Sequence, residues 1–402
     1  MVTHAKDLRT GQPIWHAPHR HGVPHEPLAA DIRTDVLVIG AGITGAMIGE
    51  ALSAAGREVA IVDKRGLAKG STAASTALVQ YEIDTPLIDL TGKIGRANAI
   101  RAWRRSRLAV DALATRLREL GPVPATERST LFLEGNRLDA EGLLREKAAR
   151  RAAGLASVFL DRTLVRSRFG ISGRTALLIY GGFVVNPRTT TLAFLRAATA
   201  RKAKVFAPVD IAHIENGQSA VVATSREGHR ITANRLVFAT GYEVPKKLPR
   251  AGHKVISTWA IATAPQRRNL WPGQSMIWEA SEPYLYLRTT PDGRIICGGE
   301  DEEFSDEAAR DRLLFRKAKA LSRKLKRLLP EVDAEFEYYW TGSFGQTRTG
   351  LPKIGQIPGK PRCLVALGYG GNGITYAQIA SDIIVGALTR EPDADADLYE
   401  FG

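Results

Sequence analysis

Residues 1–30 show no apolar periodicity. They hold Pro13, Pro18, Pro24 and Pro27 together with five of the eight histidines, and they predict an extended N-terminal arm. From Asp31 the pattern changes. The continuous apolar run Val36-Leu-Val-Ile39 ends in Gly40, and small and apolar residues then continue at helical spacing to about Ala55. That is a buried strand, a tight turn and a helix. A second run, Val59-Ala-Ile-Val62, ends in Asp63 and completes a βαβ unit of about 30 residues.

Beyond Leu90, basic residues alternate with Leu, Ala and Ile at helical spacing over residues 93–120. A strand-like Thr130-Leu-Phe-Leu-Glu134 follows, then a helical pattern over 140–154. Strand patterns dominate 255–299, with Pro291-Asp292-Gly293 marking a hairpin. A helix over 306–329, a strand over 336–340 and a closing helix over 375–388 complete the chain. The alternation predicts an α/β protein with two interleaved domains, one a Rossmann-type nucleotide domain and the other an α+β domain on a mostly antiparallel sheet. The boundaries fall at 31–90, 175–250 and 345–402 for the first, and at 91–174 and 251–344 for the second.

Composition narrows the chemistry. The hydrophobic share of 44% suits a globular core. No apolar run reaches the ~18 residues of a membrane span, and the N-terminus lacks a signal-peptide core, so a cytoplasmic protein is expected. Cys297 and Cys363 form no CxxC, which leaves redox work to a cofactor. The net charge of +14 is concentrated in the helical segments 93–120 and 310–329, the pattern of solvated helix faces. Neither a nucleic acid nor a membrane partner is expected, and the oligomeric state is left open. His16, His19, His21 and His25 lack metal-ligand spacing, so no metal is expected.

Gly40-Ala-Gly42-Ile43-Thr44-Gly45 sits directly after a buried strand and opens a helix. In a dinucleotide fingerprint the first glycine permits the tight turn, the second lets a pyrophosphate approach and the third lets helix pack on sheet. Asp63, about 20 residues on, is placed to accept ribose hydroxyls. The motif alone does not separate NAD from FAD.

Three later segments bear on that choice: Gly70-Ser71-Thr72-Ala-Ala-Ser75-Thr76, Arg235-Leu-Val-Phe-Ala239-Thr240-Gly241, and Gly368-Tyr-Gly370-Gly371-Asn372-Gly373-Ile374-Thr375. In this order the chain resembles the D-amino-acid-oxidase-like FAD-dependent oxidoreductases, which include glycine oxidase, sarcosine oxidase and amine-oxidising relatives. The arm with Trp15 followed by Val-Ile-Gly-Ala-Gly-Ile-Thr-Gly is most similar to the branch that includes gamma-glutamylputrescine oxidoreductase. The resemblance implies non-covalent FAD held by Gly40, Gly42, Ile43, Thr44, Gly45, Asp63, Lys64, Ser71, Thr72, Ser75, Thr76, Ile211, Ala239, Thr240, Gly241 and the stretch Gly370, Gly371, Asn372, Gly373, Ile374 and Thr375. It implies an enzyme that takes a hydride from the Cα–H of a small amine or amino acid, gives an imine that hydrolyses, and passes electrons to O₂ or another carrier. A hydroxy-acid dehydrogenase and a non-catalytic flavin-binding subunit stay open as alternatives.

The sequence departs from its relatives at three places. Phe344 stands where glycine-oxidase-like members carry an arginine for the substrate carboxylate, and Arg288 or Arg348 is a candidate replacement. Ile296 stands where sarcosine-oxidase-like members carry a lysine that assists O₂. Gly342 stands where some relatives attach flavin through cysteine, and no histidine lies near Ser75 for the other attachment. Gln80, Tyr284, Tyr286, Trp340 and Phe344 are candidates to line the substrate pocket.

Overall fold

The computed structural model describes residues 2–15, 22–246, 248 and 253–401. His16, His19 and His21 lie outside the described residues. Among the described residues, no cluster of His, Cys, Asp or Glu has metal-binding geometry, and no helix is long and apolar enough to cross a membrane.

Two sheets form the frame. The first runs in the order Lys353–Ile357, Lys360–Leu367, Arg230–Phe238, Ile32–Ile39, Val59–Val62 and Lys204–Phe206, and the hairpin of Ile211–Asn216 and Val221–Ser225 extends it from Arg230–Phe238. Its middle strands are parallel. Val36, Leu37 and Val38 are all fully buried, because helices cover one face and the hairpin's apolar residues the other. A strand buried on both faces shows a continuous apolar run, which is why this one was conspicuous in the sequence. Register then places the site: Ile39 pairs with Val62 and Phe238, so Gly40, Asp63 and Ala239 emerge side by side at the carboxyl edge. Ligands of open α/β sheets bind at that edge.

The second sheet runs Phe336–Thr347, His253–Thr263, Ile295–Glu302, Leu285–Thr289, Met276–Glu279, Ala125–Leu133, Ala176–Val185 and Leu78–Val79, with Val158–Leu160 added beside Ala176–Val185. It is antiparallel except where Met276–Glu279 meets Ala125–Leu133. Thr258 pairs with Gly342, and Trp278 with Tyr286. The helix Leu314–Leu328 covers the outer face with Leu314, Ala318, Leu321, Leu325 and Leu328, while Arg316, Lys319, Arg323, Lys326 and Arg327 face water.

The chain passes back and forth between the sheets. Two strands expected in the nucleotide domain, Leu78–Val79 and Ala176–Val185, pair within the second sheet. The helix Arg96–Glu119, expected in the substrate domain, packs on the closing helix Gly373–Thr389. Apolar patterning marks a strand as buried but does not say which sheet it joins.

The basic charge is only partly a solvated face. Arg105 is buried and donates to Asp382 and Asp393 at 2.7 and 2.8 Å. Arg116 reaches Glu50 at 2.5 Å. Arg150 and Glu146 are fully enclosed and pair at 2.8 Å, and Glu146 also accepts the backbone N–H groups of Leu87 and Ile88. Arg105 ties its helix to the closing helix, Arg116 ties the same helix to Ile43–Ala54, and Glu146 ties its own helix to Leu87–Ile94, because a buried charge is tolerated only when paired.

Candidate active site

One cavity runs along the junction of the two sheets and encloses about 1820 Å³ of empty space, the open solvent at its mouth included. Its lining runs from Val2 and Thr3 of the arm, past Gly40 and Ser71, to Ile374.

At the nucleotide end, Gly40 takes φ of +119°, and a β-carbon there would collide with the Ala239 carbonyl. Gly45 has no room for a side chain over the Gly40 carbonyl, so it packs the helix on the strand without lining the cavity. The helix Ile43–Ala54 opens without a side-chain cap and without an acid in its first turn. The Ile43 amide donates to Thr72 Oγ1 at 3.0 Å. An uncapped helix start without a neutralising carboxylate is an anion site.

Asp63 Oδ2 accepts the Ala41 amide at 2.8 Å, and Oδ1 accepts those of Arg65 and Gly66 at 2.7 and 3.1 Å. Burial pushes this carboxyl up, and the three amides pull it back. Lys64 and Arg65 both pair with Glu243, at 2.7 and 2.6 Å. Burial opposes the charge on Glu243, yet its two cations and the Lys6 amide hold its carboxyl below the usual range. The arm closes this end: Val2, Thr3 and Leu8 line the cavity, and Lys6 N donates to Glu243 at 2.9 Å.

The loop from Gly70 to Ala77 is pinned from behind by three side chains. Trp340 Nε1 donates to the Ala74 carbonyl at 2.9 Å, Trp15 Nε1 to Ser75 at 2.6 Å, and Arg288 Nη1 to Ala77 at 2.8 Å. Its other side then faces the cavity with Ser71, Thr72, Ser75 and Thr76. Ser71 Oγ is buried and has no partner among the described residues. A buried hydroxyl left unpaired is an exception among native proteins and points to a missing acceptor or donor.

The far end is closed by the turn Gly370 to Ile374, which starts the helix Gly373–Thr389, again without a side-chain cap or a first-turn acid. The segment from Gln80 to Asp84 clamps this turn. The Gln80 carbonyl accepts Thr375 Oγ1 at 2.8 Å, the Glu82 carbonyl accepts Asn372 Nδ2, and Asp84 Oδ2 accepts the Gly371 amide at 2.7 Å. Tyr284 and Tyr286, with ring centroids 5.5 Å apart, stand beside Trp278, Phe344, Tyr242 and Tyr369 in the lining.

The sequence-derived candidates divide clearly. Gly40, Gly42, Ile43, Thr44, Asp63, Lys64, Ser71, Thr72, Ser75, Thr76, Ile211, Ala239, Thr240, Gly241, Gly370, Gly371, Asn372, Gly373 and Ile374 line the cavity, as do Gln80, Tyr284, Tyr286 and Phe344. Thr375 lies just behind it, bonded to Gln80. Trp340 lies under the Ser71 loop. Arg348 is exposed on a turn outside the lining. Arg288 is 1% exposed, so it is no surface residue, and it makes no ion pair among the described residues. It donates to the carbonyls of Ala77, Val185 and Thr289, and its guanidinium lies 5.5 Å from the centre of the Trp15 ring. Burial, then the charge of Arg128, pushes its pKa down to about 9. Ile296 is fully buried and does not line the cavity.

Sequence reasoning missed Asp84, Tyr242, Thr258, Trp278, Tyr369 and the arm residues Val2, Thr3 and Leu8. Asp84 had a signal, as an acid among the apolar residues that follow the Ser71 loop. The others come from separate strands or from an aperiodic arm.

The residues present fit FAD. Two helix starts without a side-chain cap meet one cavity, Ser71 lines it with its hydroxyl unpaired among the described residues, and an acid closes the second strand at the ribose position. The model of the DAO family, FAD dependent oxidoreductase, matches residues 35–386. The glycine oxidase of Bacillus licheniformis is 25% identical over 371 residues, spanning 90% of this chain and 94% of that protein. The gamma-glutamylputrescine oxidoreductase of Escherichia coli K12 is 22% identical over 395 residues, spanning 94% and 89%. The crystal structure of glycine oxidase from Geobacillus kaustophilus shares the fold with a TM-score of 0.75 at 21% identity, over 92% of this chain and 98% of that one. That of L-proline dehydrogenase from P. horikoshii does so with a TM-score of 0.77 at 18% identity, over 92% and 97%. The chain belongs to the DAO family of FAD-dependent oxidoreductases, and its cofactor is FAD.

Proposed function

We propose that this oxidoreductase acts on the carbon–nitrogen bond of a small amine or amino acid. When bound, FAD accepts the hydride. The substrate carbon–hydrogen bond breaks with both electrons leaving, the nitrogen lone pair forms the C=N bond, and water hydrolyses the imine to a carbonyl and a free amine or ammonia. A neutral amine supplies its own electron push, whereas an alcohol needs a base to take its O–H proton.

The observation that carries this reading is the lining itself. Among the described residues that line the cavity there is no histidine and no cysteine, while Trp278, Tyr284, Tyr286 and Phe344 supply an aromatic wall. Such a wall excludes water and orients a substrate, and the acidic side chain beside it is Asp84. The relatives point the same way, one being a glycine oxidase and another an oxidoreductase of gamma-glutamylputrescine. We propose that FAD is held without a covalent bond, since Gly342 lines the cavity and neither cysteine does.

Reduction of the bound flavin by amines without oxygen tests the reading, with ammonia or free amine as the product to be measured. Bleaching by hydroxy acids alone, with no nitrogen released, contradicts it. Readmission of air then separates an oxidase, which recovers its colour at once, from a dehydrogenase, which does not.

A further inference from the structure

Among the described residues that line the cavity only Lys64 and Arg65 are basic, and both are held on Glu243 beside the arm. Arg288 spends its donors on backbone carbonyls, and Arg348 is exposed outside the lining. A carboxylate brought to Tyr284 and Tyr286 meets no cation, and desolvation without a partner opposes its binding.

Acceptors are present in its place. Asp84 lines the cavity, keeps a partly accessible surface, and makes no ion pair among the described residues. The nearby Arg137 pairs with Asp89 at 2.9 Å. One Asp84 oxygen is occupied by the Gly371 amide. The other converges with a tyrosine: a methyl group set on Gly371 would stand 2.9 Å from Asp84 Oδ1 and 3.3 Å from the Tyr284 hydroxyl. Tyr284 and Tyr286 also feel the charge of Asp301. A carboxylate and several ring faces around one space match the donors and charge of an ammonium group.

We propose that Asp84 is a specificity-determining residue that selects a cationic alkylamine or diamine lacking an α-carboxylate. This inference rests on the amine reading above and narrows it. Asp84 receives the N–H groups and takes the ammonium proton before the neutral amine reacts, the tyrosine rings enclose the cation, and the want of a basic group at this end turns amino acids away.

The test uses the FAD-loaded protein and matched compounds: butylamine against norvaline, putrescine against ornithine, and 2-hydroxypentanoate. Binding is followed by the change in flavin fluorescence, and reduction by anaerobic bleaching. The amines are expected to bind and reduce at least about tenfold better than their α-carboxylated counterparts. Asp84→Asn keeps an acceptor for the Gly371 amide, so FAD content is retained, while the concentration of amine for half-saturation rises by about tenfold or more and Asp84→Glu recovers part of it. Equal response to the carboxylated compounds, or an Asp84→Asn variant that binds amines as the parent does, overturns the inference and leaves the amine reading standing. Response to the hydroxy acid alone, or to none of these compounds, overturns both.

Discussion

Asp84 accepts the backbone N–H of Gly371 at 2.7 Å across 287 residues of sequence. With the Gln80–Thr375 and Glu82–Asn372 bonds it makes the segment after the Ser71 loop the splint for the start of the closing helix. Replacement by alanine leaves the exposed amide to water, so Asp84→Ala is expected to lower stability by about 0.5–1.5 kcal/mol. Urea unfolding of the flavin-free protein measures this. An unchanged midpoint denies the clamp its structural part.

Ser71 separates binding from folding. Its hydroxyl is buried and unpaired among the described residues, so in the flavin-free protein Ser71→Ala removes nothing that was satisfied. Stability of that form is expected to hold or to rise, by no more than the ~1–3 kcal/mol that an unsatisfied buried hydroxyl costs. FAD affinity should fall about fivefold, the worth of one hydrogen bond. Fluorescence titration with FAD reads the second quantity and thermal unfolding the first.

The arm is expected to act on cofactor retention. Leu8 lines the cavity, Lys6 N holds Glu243, and Trp15 Nε1 holds the Ser75 carbonyl. Removal of residues 2–11 opens the nucleotide end and keeps the Trp15 contact. The FAD dissociation constant should rise about tenfold or more, on the order of what two lost contacts supply. The rate of flavin reduction in the FAD-saturated protein should stay within about twofold.

Asp301 gives a pH signature. Burial is the main cause that pushes its carboxyl up to about 7, with the charges of Asp84 and Glu300 adding to the rise and Thr258 and Lys317 opposing it. Tyr284 and Tyr286 stand on its other side. The folded chain therefore holds a proton that the unfolded chain releases in the ordinary carboxylate range. The stability from this group is full below that range and is lost as pH rises through about 7. Unfolding at pH 5 and pH 8 should show a smaller loss for Asp301→Asn than for the parent. An equal loss in both excludes this group as the cause.

The nucleotide half of the site was legible because its signal is local. Gly40 through Gly45 and Asp63 belong to one βαβ unit, and parallel register brings Ala239 beside them without further information. The aromatic end was legible only through Tyr284, Tyr286, Phe344 and Gln80. Trp278 and Thr258 arrive there through pairings with Tyr286 and Gly342 that no periodicity specifies. Arg288 shows the limit most plainly. It lies two residues beyond Tyr286 on the strand Leu285–Thr289, but its direction is set by the carbonyls of Ala77 and Val185, which come from distant strands and loops. The buried pairs of Arg105, Arg116 and Arg150 were hidden for the same reason, since their partners or enclosing walls come from elsewhere in the chain.

The most direct test of the account is the absorption spectrum of the purified protein, recorded without oxygen while an amine is added. Flavin bands near about 370 and 450 nm, released by acid precipitation and bleached by the amine with formation of a carbonyl product, are the predicted result. Flavin that no amine reduces, or that only a hydroxy acid reduces, contradicts the account.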